Sequence, residues 1–326
     1  MTERVRGPRL ALLALVPVAF ALALAVGSVS LGPATLWQVL TGREHGLPAT
    51  LILELRLPRA LAAFAVGGLL ALAGALLQVL LRNPLADPYV LGVSGGAAVA
   101  ALGSLLLGLG GAWVNANAFA GSLIAMLLVF GLSHGRGAWT ETRLLLTGVV
   151  VATACGALVS LMLALAPQAQ VSTLLFWLLG DLGQSNAPWW ALAVLAAGLL
   201  LALPFARALN LYARGELMAA ALGENVKRLR YGIYFLAALL TAAAVTLAGA
   251  IGFIGLVVPH LLRLLGDTDH RRLLVDAVLL GGSLLVVADT LARTLLAPAQ
   301  LPVGVLTALL GAPLFLYLLA RDARLP

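Results

Sequence analysis

His260, Asp276, Asp289 and Arg293 lie within long apolar runs, where an ionisable side chain is costly and is a functional candidate by default. Asp289 and Arg293 are four residues apart, the spacing of an ion pair along one helix face. His260 follows Pro259, whose missing N–H frees a carbonyl one turn earlier, so the imidazole has either backbone groups to satisfy or a partner to meet. A proton-coupled carrier needs a longer relay of ionisable groups than this. Arg56 and Arg59 flank Leu57-Pro58 at the head of another apolar run. Their guanidiniums match carboxylates bidentately, which suits an acidic partner, and snorkelling to lipid phosphate is the plainer alternative. A P-loop needs Gly-Lys followed by Ser or Thr, but the single lysine, Lys227, follows Val226. ATP hydrolysis would therefore have to come from another chain. The lone cysteine, Cys155, sits in an apolar run and reads as a packing residue. No metal-ligand set and no catalytic constellation stands out.

The elements that position these residues follow from composition. Of 326 residues, 62% are hydrophobic and 10% charged, and the mean hydropathy is +1.06. Too few charges remain to coat a water-exposed surface. The apolar runs lack the ten-residue alternation of a membrane barrel, so the reading is all-α and polytopic. Ten spans are expected, at 10–29, 57–81, 90–109, 112–132, 144–166, 188–206, 231–251, 253–266, 273–296 and 303–320. Arg4, Arg6 and Arg9 before the first run resemble a signal peptide, but the run is long, and it is read as a first transmembrane helix. With a cytoplasmic N-terminus, the positive-inside rule places sixteen of the twenty basic residues inside, all but Arg43, Arg56, Arg59 and Arg293. The formal net charge of +7 is scattered between apolar runs, which disfavours a nucleic-acid partner.

Local motifs refine this picture. Asn83-Pro84-Leu85-Ala86-Asp87-Pro88 has two N-cap–proline steps, the pattern of a rigid turn that starts the third span, with gating or docking as the other reading. Gly249, Gly252 and Gly255 recur every third residue, which would give a helix a smooth packing face. Gly311-Ala312-Pro313 is expected to interrupt the tenth span. Residues 207–230 form the longest polar connection, with Glu216 to Leu222 rich in helix formers and Gly223 as a helix stop. Leu72-Ala73-Gly74-Ala75 recurs as Leu247-Ala248-Gly249-Ala250, a faint sign of an inverted repeat.

Read together, Arg56-Leu57-Pro58-Arg59, Gly74, Gln78, the Asn83–Pro88 turn, the string Gly252-Phe253-Ile254-Gly255-Leu256-Val257-Val258-Pro259-His260, Asp269-His270-Arg271 and Gly311-Ala312-Pro313 resemble the FecCD permeases, which import ferric siderophores, haem and cobalamin. The resemblance runs from about residue 50 to 320. It implies a type II ABC importer permease: one transmembrane domain, 1–326, of ten helices, working as a homodimer in the bacterial inner membrane with both termini cytoplasmic. It implies two ATPase subunits that carry ATP-Mg, no cofactor on this chain, and a periplasmic or lipoprotein binding protein. Residue by residue, it assigns docking of that binding protein to Arg56, Arg59 and Arg293. It assigns ATPase coupling to the 207–230 loop through Glu216, Ala219, Ala220 and Gly223. More weakly, it places the pathway gate at Thr140 and Thr142, with Pro313 as a further pathway candidate. A secondary transporter and a non-transporting membrane scaffold are the rival classes.

Overall fold

The structure, a computed structural model, describes residues 6–27, 29–134, 140–183 and 188–322; Arg4, Arg136 and Arg324 of the charge count lie outside them. Among the described residues the chain is helical throughout: α1 (Arg6–Ala25), α2 (Pro33–Leu40), α3 (Leu47–Thr50), α4 (Leu57–Leu80), α5 (Val93–Leu106), α6 (Gly111–Ser133), α7 (Glu141–Leu165), α8 (Gln168–Leu178), α9 (Pro188–Ala202), α10 (Ala206–Ala213), α11 (Glu216–Ala221), α12 (Val226–Ala248), α13 (Ile254–Leu264), α14 (His270–Thr294) and α15 (Val303–Asp322). Six of these segments are long and apolar enough to cross a membrane, and four shorter apolar helices accompany them. Each of the ten expected spans thus has a helix at its centre, and the chain is a multi-pass membrane protein.

A helix apolar on every side must be enclosed by protein or by lipid, and the fold uses both solutions. The α4 helix, joined to α3 through a π-helical turn at Leu51–Arg56, is the axis. Of its most apolar window, 89% is buried, against α14, α12, α9 and α13. At the other extreme, only 11% of the corresponding window of α7 is buried, and Leu146, Val150, Leu161 and Leu165 point outward.

Between lipid-embedded helices the hydrophobic effect supplies little, so close backbone approach has to hold them together. A Cβ placed on Gly67 would strike the carbonyl of Gly281, joining α4 to α14; one on Gly74 would strike the carbonyl of Gly255, joining α4 to α13; one on Gly96 would strike that of Gly121, joining α5 to α6.

Three expected features differ. The glycines at 249, 252 and 255 do not form a helical face. Gly249 has φ +67 and ends α12, the chain then leaves the helix until Ile254, and of the three only Gly252 stands in open space. The supposed repeat is also unlike in structure, since Gly74 lies inside a helix and Gly249 ends one. Third, Gly311-Ala312-Pro313 does not break α15, which continues through Pro313 to Asp322. Gly311 instead makes room for the ring of Phe253.

Gly74→Val is therefore expected to abolish recovery of monodisperse permease in detergent. Gly156→Ala, at a helical position with open space around it, should raise stability by about 0.5–1 kcal/mol. Size-exclusion profiles and thermal melts of the two variants check both outcomes.

Candidate functional site

Where the helical ladder is broken, side chains replace it. Pro259 has no N–H to offer the carbonyl of Gly255. The Gln78 side chain from α4 donates to that carbonyl at 3.4 Å and to Leu256 O at 3.0 Å, while the Arg263 guanidinium donates back to Gln78 Oε1. His260 is buried against the ring of Phe315. The non-helical stretch after Ala248 is met by Tyr89, whose hydroxyl donates to Ile251 O at 3.0 Å and accepts from Ile251 N at 2.8 Å. Burial and the nearby Asp87 charge hold the Tyr89 phenol far above its ordinary pKa, so it keeps the proton that it donates.

Tyr89 is itself placed by the Asn83–Pro88 turn. Asn83 Oδ1 accepts from Leu85 N at 2.9 Å. Asp87 Oδ1 accepts from Tyr89 N at 2.8 Å and caps a 3-10 turn over Pro88–Leu91. Gly92, with φ +72, then starts α5, three residues later than the span expected from sequence. Burial pushes the Asp87 carboxyl up to about 6, with the Tyr89 amide pulling the other way.

One end of the α4 axis carries an arginine cluster. Arg56 is 5% exposed. It donates to Leu24 O at 2.6 Å, to Ala25 O at 3.1 Å and to Val29 O, covering carbonyls at the C-terminus of α1 and in the turn after it. Arg59 grips Asp289 bidentately, from Nε at 3.0 and 3.1 Å and from Nη2 at 2.8 Å. Its Nη1 donates to Gln300 Oε1 at 3.1 Å, and Asp181 stands 3.8 Å away. Arg293 Nε lies 3.2 Å from the same Asp289. The expected local pair on α14 is present, and Arg59 from α4 joins it. Asp289 is 2% exposed, and losing one partner of a buried pair costs about 3–5 kcal/mol, so this cluster fastens α4 to α14. Asp276, buried farther along α14, pairs with Arg9 of α1 at 3.5 Å. Beside Asp181 lies a cavity of about 830 Å³ lined by Phe176, Trp177, Trp190, Asn115 and Thr246.

The other end of α4, about 35 Å away by helical rise, carries a second cluster. Glu141 Oε1 accepts from Arg82 Nη2 at 2.8 Å, from Arg230 Nη2 at 3.0 Å and from Tyr212 Oη at 3.3 Å. Arg230 also reaches Glu216 Oε2 at 2.7 Å. Ala219 is buried, whereas Leu217, Met218 and Leu222 are exposed, Leu217 by 87%. Gly223, with φ +87, ends this short turn. The segment is held at its start by Asn210, which donates to Asp269 Oδ1 at 2.7 Å and accepts from His270 N at 2.9 Å. The Asn210 amide, then the Arg271 N–H, keeps the Asp269 carboxyl below its usual range. Thr140 N-caps α7 by accepting from Arg143 N at 3.3 Å, and Thr142 is exposed beside it.

The sequence profile of the FecCD transport family matches residues 14–321. The chain belongs to the FecCD transport family. It is 43% identical over 312 residues to the hemin transport system permease protein HmuU of Yersinia pestis, covering 91% of this chain and 90% of that protein. It is 41% identical over 306 residues to the vitamin B12 import system permease protein BtuC of Yersinia enterocolitica, covering 92% and 88%. Among solved structures, one described as a metal-chelate type ABC transporter in an inward-facing conformation superposes with a TM-score of 0.85 at 30% identity, over 96% of this chain and 98% of that one.

Sequence reasoning did not single out Glu141, Tyr89 or Asp181. Glu141 had one available clue: it is among only 13 acidic residues and opens an apolar helix at its basic end.

Asp87 binds its proton more tightly folded, at about 6, than at its ordinary value of 3.8, so its contribution to stability falls as pH rises from 4 to 6 and is flat above. Asp87→Asn keeps the cap acceptor without the charge and should melt at or above wild type at pH 7, with a weaker pH 4–6 dependence, since Asp267, also raised to about 6, remains. Asp87→Ala should lose about 0.5–2 kcal/mol. Thermal melts across pH 4–8 separate the three proteins.

Proposed function

We propose that this chain is the membrane-spanning permease of an ABC importer for a metal chelate of the macrocyclic class, haem or cobalamin. The observation that carries this reading is the segment 207–230. It presents Leu217, Met218 and Leu222 to the surroundings while Glu216 and Asn210 tie it to the helix ends behind. A small apolar face on a firmly anchored polar loop is a docking element for another protein. Support also comes from kinship with permeases named for hemin and vitamin B12, and from the large flat side chains of Phe176, Trp177 and Trp190 around the cavity.

On this reading 1–326 is one permease domain in the inner membrane, with both termini and the 207–230 loop cytoplasmic. Two ATPase subunits bind ATP-Mg and dock on that loop, and α7, with its uncovered apolar face, lies against lipid and a second copy. Thr140 and Thr142 sit where α7 closes the pathway, and Pro313 lies on its wall. A binding protein engages the outer arginine cluster. Arg56 there is a buried strut behind the surface. Arg59 and Arg293 are already paired, so acidic groups on the binding protein compete with Asp181, Asp289 and Gln300 for them rather than meeting free cations.

The test is uptake into liposomes holding the permease with its ATPase and binding protein, offered haemin, cyanocobalamin and a ferric hydroxamate. ATP-dependent uptake of haemin or cyanocobalamin is the expected result. Uptake of the hydroxamate alone would refute the macrocyclic class, and uptake persisting without ATP would make the chain a secondary transporter. In the same assay Gln300→Glu puts a competing carboxylate on Arg59 without removing a buried charge. It should cut stimulation by the binding protein about tenfold and leave basal hydrolysis unchanged.

A further inference from the structure

The ionic cluster around Glu141 links α11 to α7 directly, where their packing is shared only through α12, which lies on α5 and α6 as α7 does. The α11 turn packs on α10 and α12, whereas α7 packs on α5 and α6. Arg230 is shared between them: one Nη2 reaches Glu216 of α11 at 2.7 Å and Glu141 of α7 at 3.0 Å. Its Nε donates to the buried Tyr212 hydroxyl at 2.9 Å, and that hydroxyl donates in turn to Glu141 at 3.3 Å. The group is therefore fixed in direction as well as in charge. From the far side Arg82 donates to the same Glu141 oxygen at 2.8 Å. Arg82 is one of two non-glycine residues with positive φ among those described, at 45°. Glu141 is the first residue of α7, immediately after the Thr140 cap. A displacement of α11 thus has a charged route, Glu216 to Arg230 to Glu141, into the first turn of α7, while Arg82 anchors that turn to the end of α4.

We infer that Glu141 is a positioning residue that converts movement of the α11 docking turn into movement of the α7 end, acting as the ionic joint between ATP hydrolysis and opening of the pathway. The inference rests on the permease reading above. A joint acts after hydrolysis, so breaking it uncouples the two processes, whereas damage to the fold or to docking lowers both together.

The experiment uses the complete transporter in liposomes, with haemin and cyanocobalamin as probes, and reads uptake per ATP hydrolysed. Glu141→Gln keeps shape and removes charge. It should leave hydrolysis within about twofold of wild type and lower uptake per ATP about tenfold, with Glu141→Asp recovering most of the loss. A wild-type ratio in Glu141→Gln would overturn the joint and leave the permease reading standing. Loss of hydrolysis together with uptake in an assembled Glu141→Gln complex would also overturn it. Absence of ATP-driven uptake in the wild type would overturn the permease reading first. If Glu141→Gln fails to assemble, Arg230→Gln decides by the same ratio, because it interrupts the same route between Glu216 and Glu141.

Discussion

A backbone in lipid has no water to bond to, so each N–H and C=O must be satisfied within the protein. Most of this chain meets that constraint by being helical. The informative places are those where it is not. Between Ala248 and Ile254 the ladder stops, and Tyr89 supplies both a donor and an acceptor to Ile251. At Pro259 the freed carbonyl is taken by Gln78. Both side chains belong to the α4–α5 region, so the axis of the fold and the break in the α12–α13 connection depend on each other. The Asn83–Pro88 turn places Tyr89, and so it supports the break in the α12–α13 connection.

The same constraint explains the glycines. An unwound segment can be enclosed only if neighbouring backbones come close. Gly74 against Gly255, Gly249 against the Trp177 carbonyl and Gly304 against the Leu179 carbonyl close the space around it. Bulk at these positions would displace the segment that the polar side chains have just satisfied.

The helices and the order of spans were legible in the sequence, because runs of Leu, Ala and Val broken by arginine-bearing loops admit few other readings. The family was legible because the Gly252–His260 string is long. Less was legible where partners are remote. Nothing local shows that Arg56 is enclosed by α1, or that Arg59 meets Asp289 across 230 residues of chain. Hydropathy treats an enclosed non-helical stretch and a helix alike, so the spaced glycines at 249, 252 and 255 read as a helical face. Glu141 escaped notice because its three donors come from the end of α4, from α10 and from α12, and only the fold brings them together.

The two ionic clusters differ in a way that follows from charge. At the Arg59 end three guanidiniums face two carboxylates, Asp289 and Asp181, and the remaining positive charge is partly spent on the carbonyls of α1. That end holds itself together and, on the proposed reading, still attracts the acidic groups of a binding protein. At the Glu141 end two guanidiniums, Arg82 and Arg230, face two carboxylates, Glu141 and Glu216. Within these four groups each guanidinium has a carboxylate. The exposed surface of α11 beside them is apolar, so a partner docked there, as proposed, need not disturb the ion pairs that lead inward to α7. If the chain receives cargo at one face and force at the other, as proposed, this division follows, because an attraction used for docking is unsuited to serve also as a fixed mechanical link.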